Sequence, residues 1–175
     1  TSVTLADNAG ATVSSAQFNF GTDNATALNN AFEWIDSQSQ LYYSTSDQRN
    51  IVAIGVSASL RIPGGYYMYS GSGLQPDEAG GRTINIRGDG MHNTIIELIS
   101  DTYLIDIPAA SPAGNSVYVH DLKVAGGKGL YMNRGTTAVP QGNQIFDRVA
   151  ILNFSECGIF SYWGDCPRWA VTNCF

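Results

Sequence analysis

A short pattern recurs at a fixed interval in the second half of this chain. An apolar residue, any residue and then Asp or Asn follow one another three times, ending at Asp121, Asp147 and Asn173, at intervals of 26 residues. A period of about 20 to 50 residues is typical of solenoids, and short β-branched runs between turn residues favour strands over helix pairs. The pattern therefore predicts a coil of short stacked strands, with these three polar residues at equivalent bends.

The residues ahead of this repeat predict one helix and the turn after a first strand. Thr22 or Asp23 is a suitable N-cap. After it, apolar residues recur with the spacing of one helical face, at Leu28, Ala31, Phe32 and Ile35. The helix is predicted to end near residues 37–39 and to cover the apolar end of the coil, as terminal caps do in repeat proteins. Further on, Pro63-Gly64-Gly65 predicts a turn between two strands.

The composition restricts the classes of function. The chain has 175 residues, of which 43% are hydrophobic, enough for one well-buried core. The net charge is -6 and Lys and Arg form no cluster, which argues against nucleic acid as a partner. No apolar run approaches the roughly 20 residues that span a bilayer, so membrane insertion is not predicted. The three cysteines form no CxxC pair, and neither a metal nor a cofactor is predicted.

In their order, these segments resemble the pectate-lyase-like superfamily, in the branch that contains phage tailspikes and polysaccharide depolymerases. Residues 23–28 (DNATAL) resemble the start of that family's capping helix, and residues 62–66 (IPGGY) resemble the turn after its first strand. Residues 86–90 (IRGDG) and 94–96 (TII) resemble the segment that follows. The resemblance extends over roughly residues 17–175. It implies an all-β fold, a right-handed single-stranded parallel β-helix with an N-terminal capping α-helix.

The resemblance also implies an organisation and a function. Residues 1–21 would form an extended lead-in arm, and residues 22–175 the capping helix and first rungs of a β-helix that continues beyond 175. The protein would be a homotrimer, extracellular or on the virion as part of a phage tail. It would bind and depolymerise bacterial surface polysaccharide as a glycoside hydrolase or lyase, with catalytic residues that can lie beyond this chain. Two alternatives are a non-catalytic virion or adhesin β-helix and a free secreted pectinase- or glucanase-like enzyme.

Carboxyl groups near aromatic residues are the candidates for cleaving a glycosidic bond. A glycosidase needs two carboxyl groups about 5 to 10 Å apart, and neighbouring rungs of a parallel sheet lie about 4.8 Å apart. Glu156 and Asp165 are catalytic candidates because they lie among aromatic residues, and Asp147 is a third. The aromatic candidates for stacking on sugar rings are Tyr162, Trp163 and Trp169. The alternative is that these aromatic residues pack in the core or at a trimer contact.

A lyase would need other groups, namely a base beside a uronate carboxylate and a cation that neutralises that carboxylate. The basic residues considered are His92, His120, Lys123, Lys128, Arg134 and Arg148. His120 precedes Asp121 on a predicted strand, where successive side chains point to opposite faces. The two are therefore not expected to pair, and His120 is expected to be an exposed rung residue.

Overall fold

The described part of the chain is one helix followed by ten strands. The computed structural model describes residues 22–38, 59–75, 83–107, 116–133, 143–161 and 169–175, so the predicted arm at 1–21 lies outside the described residues. The helix is α1 (Ala25–Gln38), and it is too short and too polar to cross a lipid bilayer. The strands are β1 (Ser59–Arg61), β2 (Gly65–Tyr69), β3 (Thr83–Arg87), β4 (Thr94–Leu98), β5 (Tyr103–Ile107), β6 (Ser116–Gly126), β7 (Gly129–Asn133), β8 (Gln144–Leu152), β9 (Ile159–Ser161) and β10 (Trp169–Thr172).

All pairings between these strands are parallel, and the strands stack in three rows. The first row consists of β1, β3, the first half of β6, the first half of β8 and β10. The second row consists of β2, β4 and the second halves of β6 and β8. The third row consists of β5, β7 and β9. The fold is thus a parallel β-solenoid of about three turns, which confirms the predicted coil of stacked strands.

The interior is filled by side chains that meet in register from one coil to the next. In the first row, Ile86, Val119 and Phe146 occupy the same inward position on three successive strands, and none is more than 1% exposed. Tyr131 joins the third row to this stack, with its ring centroid 5.2 Å from that of Phe146. Burying one such side chain contributes about 1.5–3 kcal/mol. Repetition of apolar residues at equivalent positions therefore stabilises the coil.

The carboxylate of Asp23 caps the start of α1 and also accepts hydrogen bonds from the solenoid. Asp23 Oδ1 accepts a hydrogen bond from Ala25 N at 3.0 Å, which confirms the predicted capping role. The same side chain accepts hydrogen bonds from the backbone N of Ser70, at 3.2 Å, and from the Ser70 hydroxyl. The buried residues of the predicted apolar face are Leu28, Phe32 and Ile35. The helix ends at Gln38, within the predicted range.

The coils differ in length, so one of the three residues that were predicted to lie at equivalent bends does not lie there. Asp147 lies opposite His120 on one side and opposite Thr172 on the other, so the offset is 27 residues to the preceding coil and 25 to the next. The regular interval of 26 therefore concealed a shift of one residue. The bend equivalent to Asp121 and Asn173 is occupied by Arg148, and the prediction that Asp147 occupies it was wrong. Asp121, Arg148 and Asn173 share left-handed φ values of 60°, 51° and 53°.

Candidate functional site

A groove forms on the surface where the chain turns from the second row of strands to the third. The turns of successive coils stack on each other through backbone hydrogen bonds. Lys128 N donates to Thr102 O at 2.8 Å, and Ser155 N donates to Gly127 O at 2.8 Å. In the preceding coil, Thr102 Oγ1 donates to Ser72 O at 2.9 Å. The groove therefore runs along the coil axis across four stacked corner loops, at residues 70–72, 100–102, 126–128 and 153–155.

Two glycines allow these turns to approach each other closely. Gly126 and Gly127 have φ values of 74° and 57°. A Cβ on Gly127 would lie 2.6 Å from Thr102 O and 2.8 Å from Leu98 Cβ. A residue with a Cβ is strained in this left-handed conformation, and here it would also overlap its neighbours. The shape of the groove thus depends on these two glycines.

Hydroxyl, amide and carboxylate side chains line the groove. It consists of two adjoining hollows of about 390 and 330 Å³, which share Ser100 and Asp101. The other polar side chains of the first hollow are Ser70, Ser72, Thr102, Tyr103, Asp106 and Lys128. Those of the second hollow are Glu97, Asn153 and Ser155. The lining therefore offers both donors and acceptors, with more carboxylates than cations among the described residues.

Glu156, a predicted catalytic candidate, is held by two residues of this groove. Tyr103 Oη donates to Glu156 Oε2 at 3.1 Å, and Lys128 Nζ lies 2.8 Å from Glu156 Oε1. The Glu156 side chain is 48% exposed, so the ion pair with Lys128 faces solvent. A neighbouring ammonium group favours the ionised form of a carboxyl. Such a carboxylate suits the role of a nucleophile or base better than that of an acid.

A carboxylate other than the predicted partner of Glu156 lies beside the turn that carries Glu156. Asp165, Tyr162 and Trp163 lie outside the described residues. Trp169 begins β10, and its side chain is likewise outside what the structure describes. Asp101 instead lies beside the turn that carries Glu156, because Ser155 Oγ donates to Asp101 Oδ1 at 3.4 Å.

A second polar cluster occupies the bends of the first row. This bend cluster consists of His120, Asp121, Asp147, Arg148, Thr172 and Asn173. Arg148 Nε donates to Asp121 Oδ1 at 2.6 Å, and Arg148 Nη2 donates to Asp121 Oδ2 at 3.0 Å. These hydrogen bonds, aided by that of His120, hold the pKa of Asp121 well below its usual range. The Asp121 carboxylate raises the pKa of Arg148 in return.

His120 and Asp121 form a pair, so the expectation that they would not was wrong. His120 Nδ1 lies 2.8 Å from Asp121 Oδ2. The cause is the backbone, because the left-handed φ of 60° at Asp121 ends the alternation of a regular strand. The Asp121 side chain consequently lies on the same side as His120, where it can hold the imidazole ring in one orientation.

Asp147, the third predicted catalytic candidate, belongs to the bend cluster and not to the groove. Its Oδ1 accepts hydrogen bonds from Thr172 Oγ1 at 2.7 Å and from Asn173 Nδ2 at 3.0 Å. Arg148 Nη1 donates to its other oxygen. The bonds from Thr172 and Asn173, with the charge of Arg148, hold the pKa of Asp147 below its usual value. With both oxygens engaged, Asp147 links its own coil to the next one, through Thr172 and Asn173.

The groove was not predicted from the sequence, although a weak signal was present. Ser100-Asp101-Thr102 and Asn153-Phe154-Ser155 are short polar turns that follow apolar strands, and Gly126-Gly127 occupies the same place on the coil between them. Small polar residues after strands usually indicate only a turn. Their stacking into one surface became apparent only from the register of the strands.

Comparison with known proteins adds no family to this description. No protein-family model matches the chain, and searches of curated proteins and of solved structures found no match. Among the described residues, no group of three or more His, Cys, Asp or Glu side chains could hold a metal ion. The chemistry of the groove and of the bend cluster therefore carries the functional argument.

Proposed function

We propose that this protein binds bacterial surface polysaccharide and depolymerises it, as a tailspike-like member of the pectate-lyase-like superfamily. In this proposal the coil is right-handed and α1 covers its first turn. The protein acts outside the cell or on a virion, and it acts as a homotrimer. The supporting observation is the polar groove, which crosses stacked turns in the direction in which an extended polymer would lie.

The lining of the groove suits a sugar chain. Sugar hydroxyl groups both donate and accept hydrogen bonds, and the serine, threonine and asparagine side chains of the groove do the same. Neighbouring coils lie about 4.8 Å apart, so each coil presents a new set of these groups along the polymer. The carboxylates of Asp101 and Asp106 outnumber the cation Lys128 in the first hollow. The charge of the groove therefore favours a neutral polysaccharide over an acidic one.

Glu156 and Asp101 are the carboxyl groups that we assign to cleavage. Glu156, beside Lys128, is the ionised member and acts as nucleophile or base. Asp101 lies on the neighbouring turn and is the second of the two carboxyl groups that glycoside cleavage requires. Tyr103, which is only 1% exposed, is rigidly packed and orients Glu156 through its hydroxyl group.

The test is a panel of neutral and acidic capsular polysaccharides and lipopolysaccharides, assayed for binding and for new reducing ends. The variants are Glu156→Gln and Asp101→Asn, and Glu33→Gln on the exposed face of α1 is the matched control. We expect neutral polymers to bind more tightly than acidic polymers. We also expect cleavage to fall by at least about 100-fold in the two groove variants, with the control unchanged. If no polymer binds, or if the groove variants cleave as fast as the control, the proposal is wrong.

A non-catalytic binding element is the second candidate, and one observation favours it. Both oxygens of Glu156 already have partners, Tyr103 and Lys128, which is also what a structural carboxylate requires. In that case Glu156→Gln lowers the melting temperature, and the wild-type protein binds polysaccharide without producing reducing ends. The two candidates are thus separated by the same panel.

A further inference from the structure

His120 and Asp121 have the geometry of an oriented acid–base pair, away from the groove. Asp121 Oδ2 lies 2.8 Å from His120 Nδ1, and Arg148 donates one hydrogen bond to each oxygen of the carboxylate and so fixes its orientation. A carboxylate at Nδ1 sets the tautomer of an imidazole and leaves Nε2 as the reactive nitrogen. The His120 side chain is 27% exposed, and its Nε2 has no hydrogen-bond partner among the described residues.

A cation and a partly apolar surface lie beside this pair. His120 on β6 lies between Arg87 on β3 and Asp147 on β8, each of which is in register with it. The side chains of His120 and Arg87 are on the outer face, and Arg87 is exposed and forms no ion pair within the described part of the chain. Two residues earlier on the same face, Tyr118 and Ile145 lie opposite each other on β6 and β8. An uncharged ligand whose apolar part lay over Tyr118 and Ile145 would have its polar end between His120 and Arg87.

We propose that His120 is a general base that hydrolyses a carboxylic ester at this surface, with Asp121 as its positioning residue and Arg87 as the group that stabilises the oxyanion. A glycosidic bond is a poor substrate here, because its hydrolysis needs two available carboxyl groups, and Arg148 already engages both carboxylates of the bend cluster, Asp121 and Asp147. An ester needs only a base for water and a donor for the carbonyl oxygen. This activity goes beyond polysaccharide cleavage in the groove and does not depend on it.

The reaction conserves atoms and charge with water as the only co-reactant. Nε2 of His120 removes a proton from water as the water oxygen forms a bond to the ester carbonyl carbon. The carbonyl electron pair moves to oxygen, which faces the Arg87 guanidinium. As the tetrahedral intermediate collapses, the bond from carbon to the alcohol oxygen breaks, and protonated His120 returns the proton to that oxygen. The products are a carboxylic acid and an alcohol.

The first test measures hydrolysis of 4-nitrophenyl acetate by the wild-type chain, by His120→Ala and by His92→Ala. His92 is the other histidine of the chain, and it is exposed on the turn before β4, so its variant controls for unspecific imidazole reactivity. We expect His120→Ala to lose about 100-fold in kcat and His92→Ala to lose nothing. Equal effects of the two variants, or no effect of either, would overturn the proposal. Unchanged melting curves show that the variants are folded.

The second test separates the assigned roles. Arg87→Gln is expected to lower kcat with KM nearly unchanged, because the oxyanion forms only during the reaction and is absent from the bound ester. Asp121→Asn is expected to lower kcat and to alter its pH profile, which a purely structural residue would not do. The wild-type rate is expected to be slower in heavy water, since a proton moves in the step, and an unchanged rate contradicts general-base catalysis. Reducing-end production from polysaccharide is expected to be the same in His120→Ala as in the wild-type chain. Ester hydrolysis and polysaccharide cleavage are therefore tested independently.

Discussion

Replacing the fully buried side chain of Gln144 by an apolar one is predicted to increase the stability of the protein. Gln144 occupies an inward position of the first row, in register with Val117 and, one coil earlier, with Ile84. It is 0% exposed, and neither Nε2 nor Oε1 has a hydrogen-bond partner among the residues that the structure describes. An unsatisfied buried polar group costs about 1–3 kcal/mol. Replacing the amide by an apolar side chain of similar length removes that cost.

We therefore expect Gln144→Met to raise the free energy of unfolding by about 1–3 kcal/mol. Methionine is unbranched and adapts to the space that the glutamine leaves. For a chain of this size, about 1 kcal/mol corresponds to about 2–4 °C, so the melting temperature rises by roughly 2–12 °C. Urea unfolding followed by circular dichroism measures the same change, with an unaltered m-value expected.

The matched control is Gln75→Met, the same substitution at an exposed position. Surface substitutions usually change stability by less than about 0.5 kcal/mol. The reasoning is refuted if Gln144→Met destabilises the protein, or if both variants change stability equally. Destabilisation would mean that the amide of Gln144 contributes hydrogen bonds to the folded protein, and equal changes would mean that burial of the amide is not their cause.

Three further predictions concern the turns and the bends. Gly127→Ala is expected to cost more than about 2 kcal/mol in urea unfolding, because φ is 57° and the new Cβ would lie 2.6 Å from a carbonyl oxygen. Gly64→Ala, whose new Cβ would lie 3.6 Å from its nearest neighbour, is expected to cost far less. Because the folded protein lowers the pKa of Asp121, this group stabilises the protein above pH of about 4 and ceases to do so as the pH falls further. Arg148→Gln is therefore expected to flatten the decline of melting temperature between about pH 5 and 2. Asp23→Ala is expected to reduce helical circular dichroism and to lower the melting temperature by a few degrees, since the cap of α1 and its link to β2 are lost together.

The parts of the fold that could be predicted are those set by local periodicity. The apolar face of α1 follows from the spacing of Leu28, Phe32 and Ile35, which are all buried. The strands β1 and β2 follow from apolar runs on both sides of Pro63, where a fixed φ favours a turn. In both cases, the pattern within one element determines which side chains are buried, so the sequence is sufficient.

The register between coils could not be predicted, because it depends on where each coil gains or loses a residue. The offsets of 27 and 25 average to the interval seen in the sequence, and Asp147 was consequently assigned to the bend that Arg148 occupies. An arginine in left-handed conformation is uncommon, since Asn, Asp and Gly adopt it more readily. Its ion pair with Asp121 accompanies this conformation, and such a pair between coils leaves no pattern along the chain.

The groove and the bend cluster arise from the same feature of the backbone. In a regular strand, alternate side chains point into the core and away from it, so residues that are adjacent in sequence cannot act on one ligand. A left-handed residue interrupts this alternation, as at Asp121 in the bend cluster and at Gly127 in the groove. Because such interruptions recur at equivalent places on successive coils, side chains from several coils gather there. Polar side chains of this solenoid are therefore concentrated at its corners, where a substitution can change the chemistry of the surface and leave the stacked apolar interior unchanged.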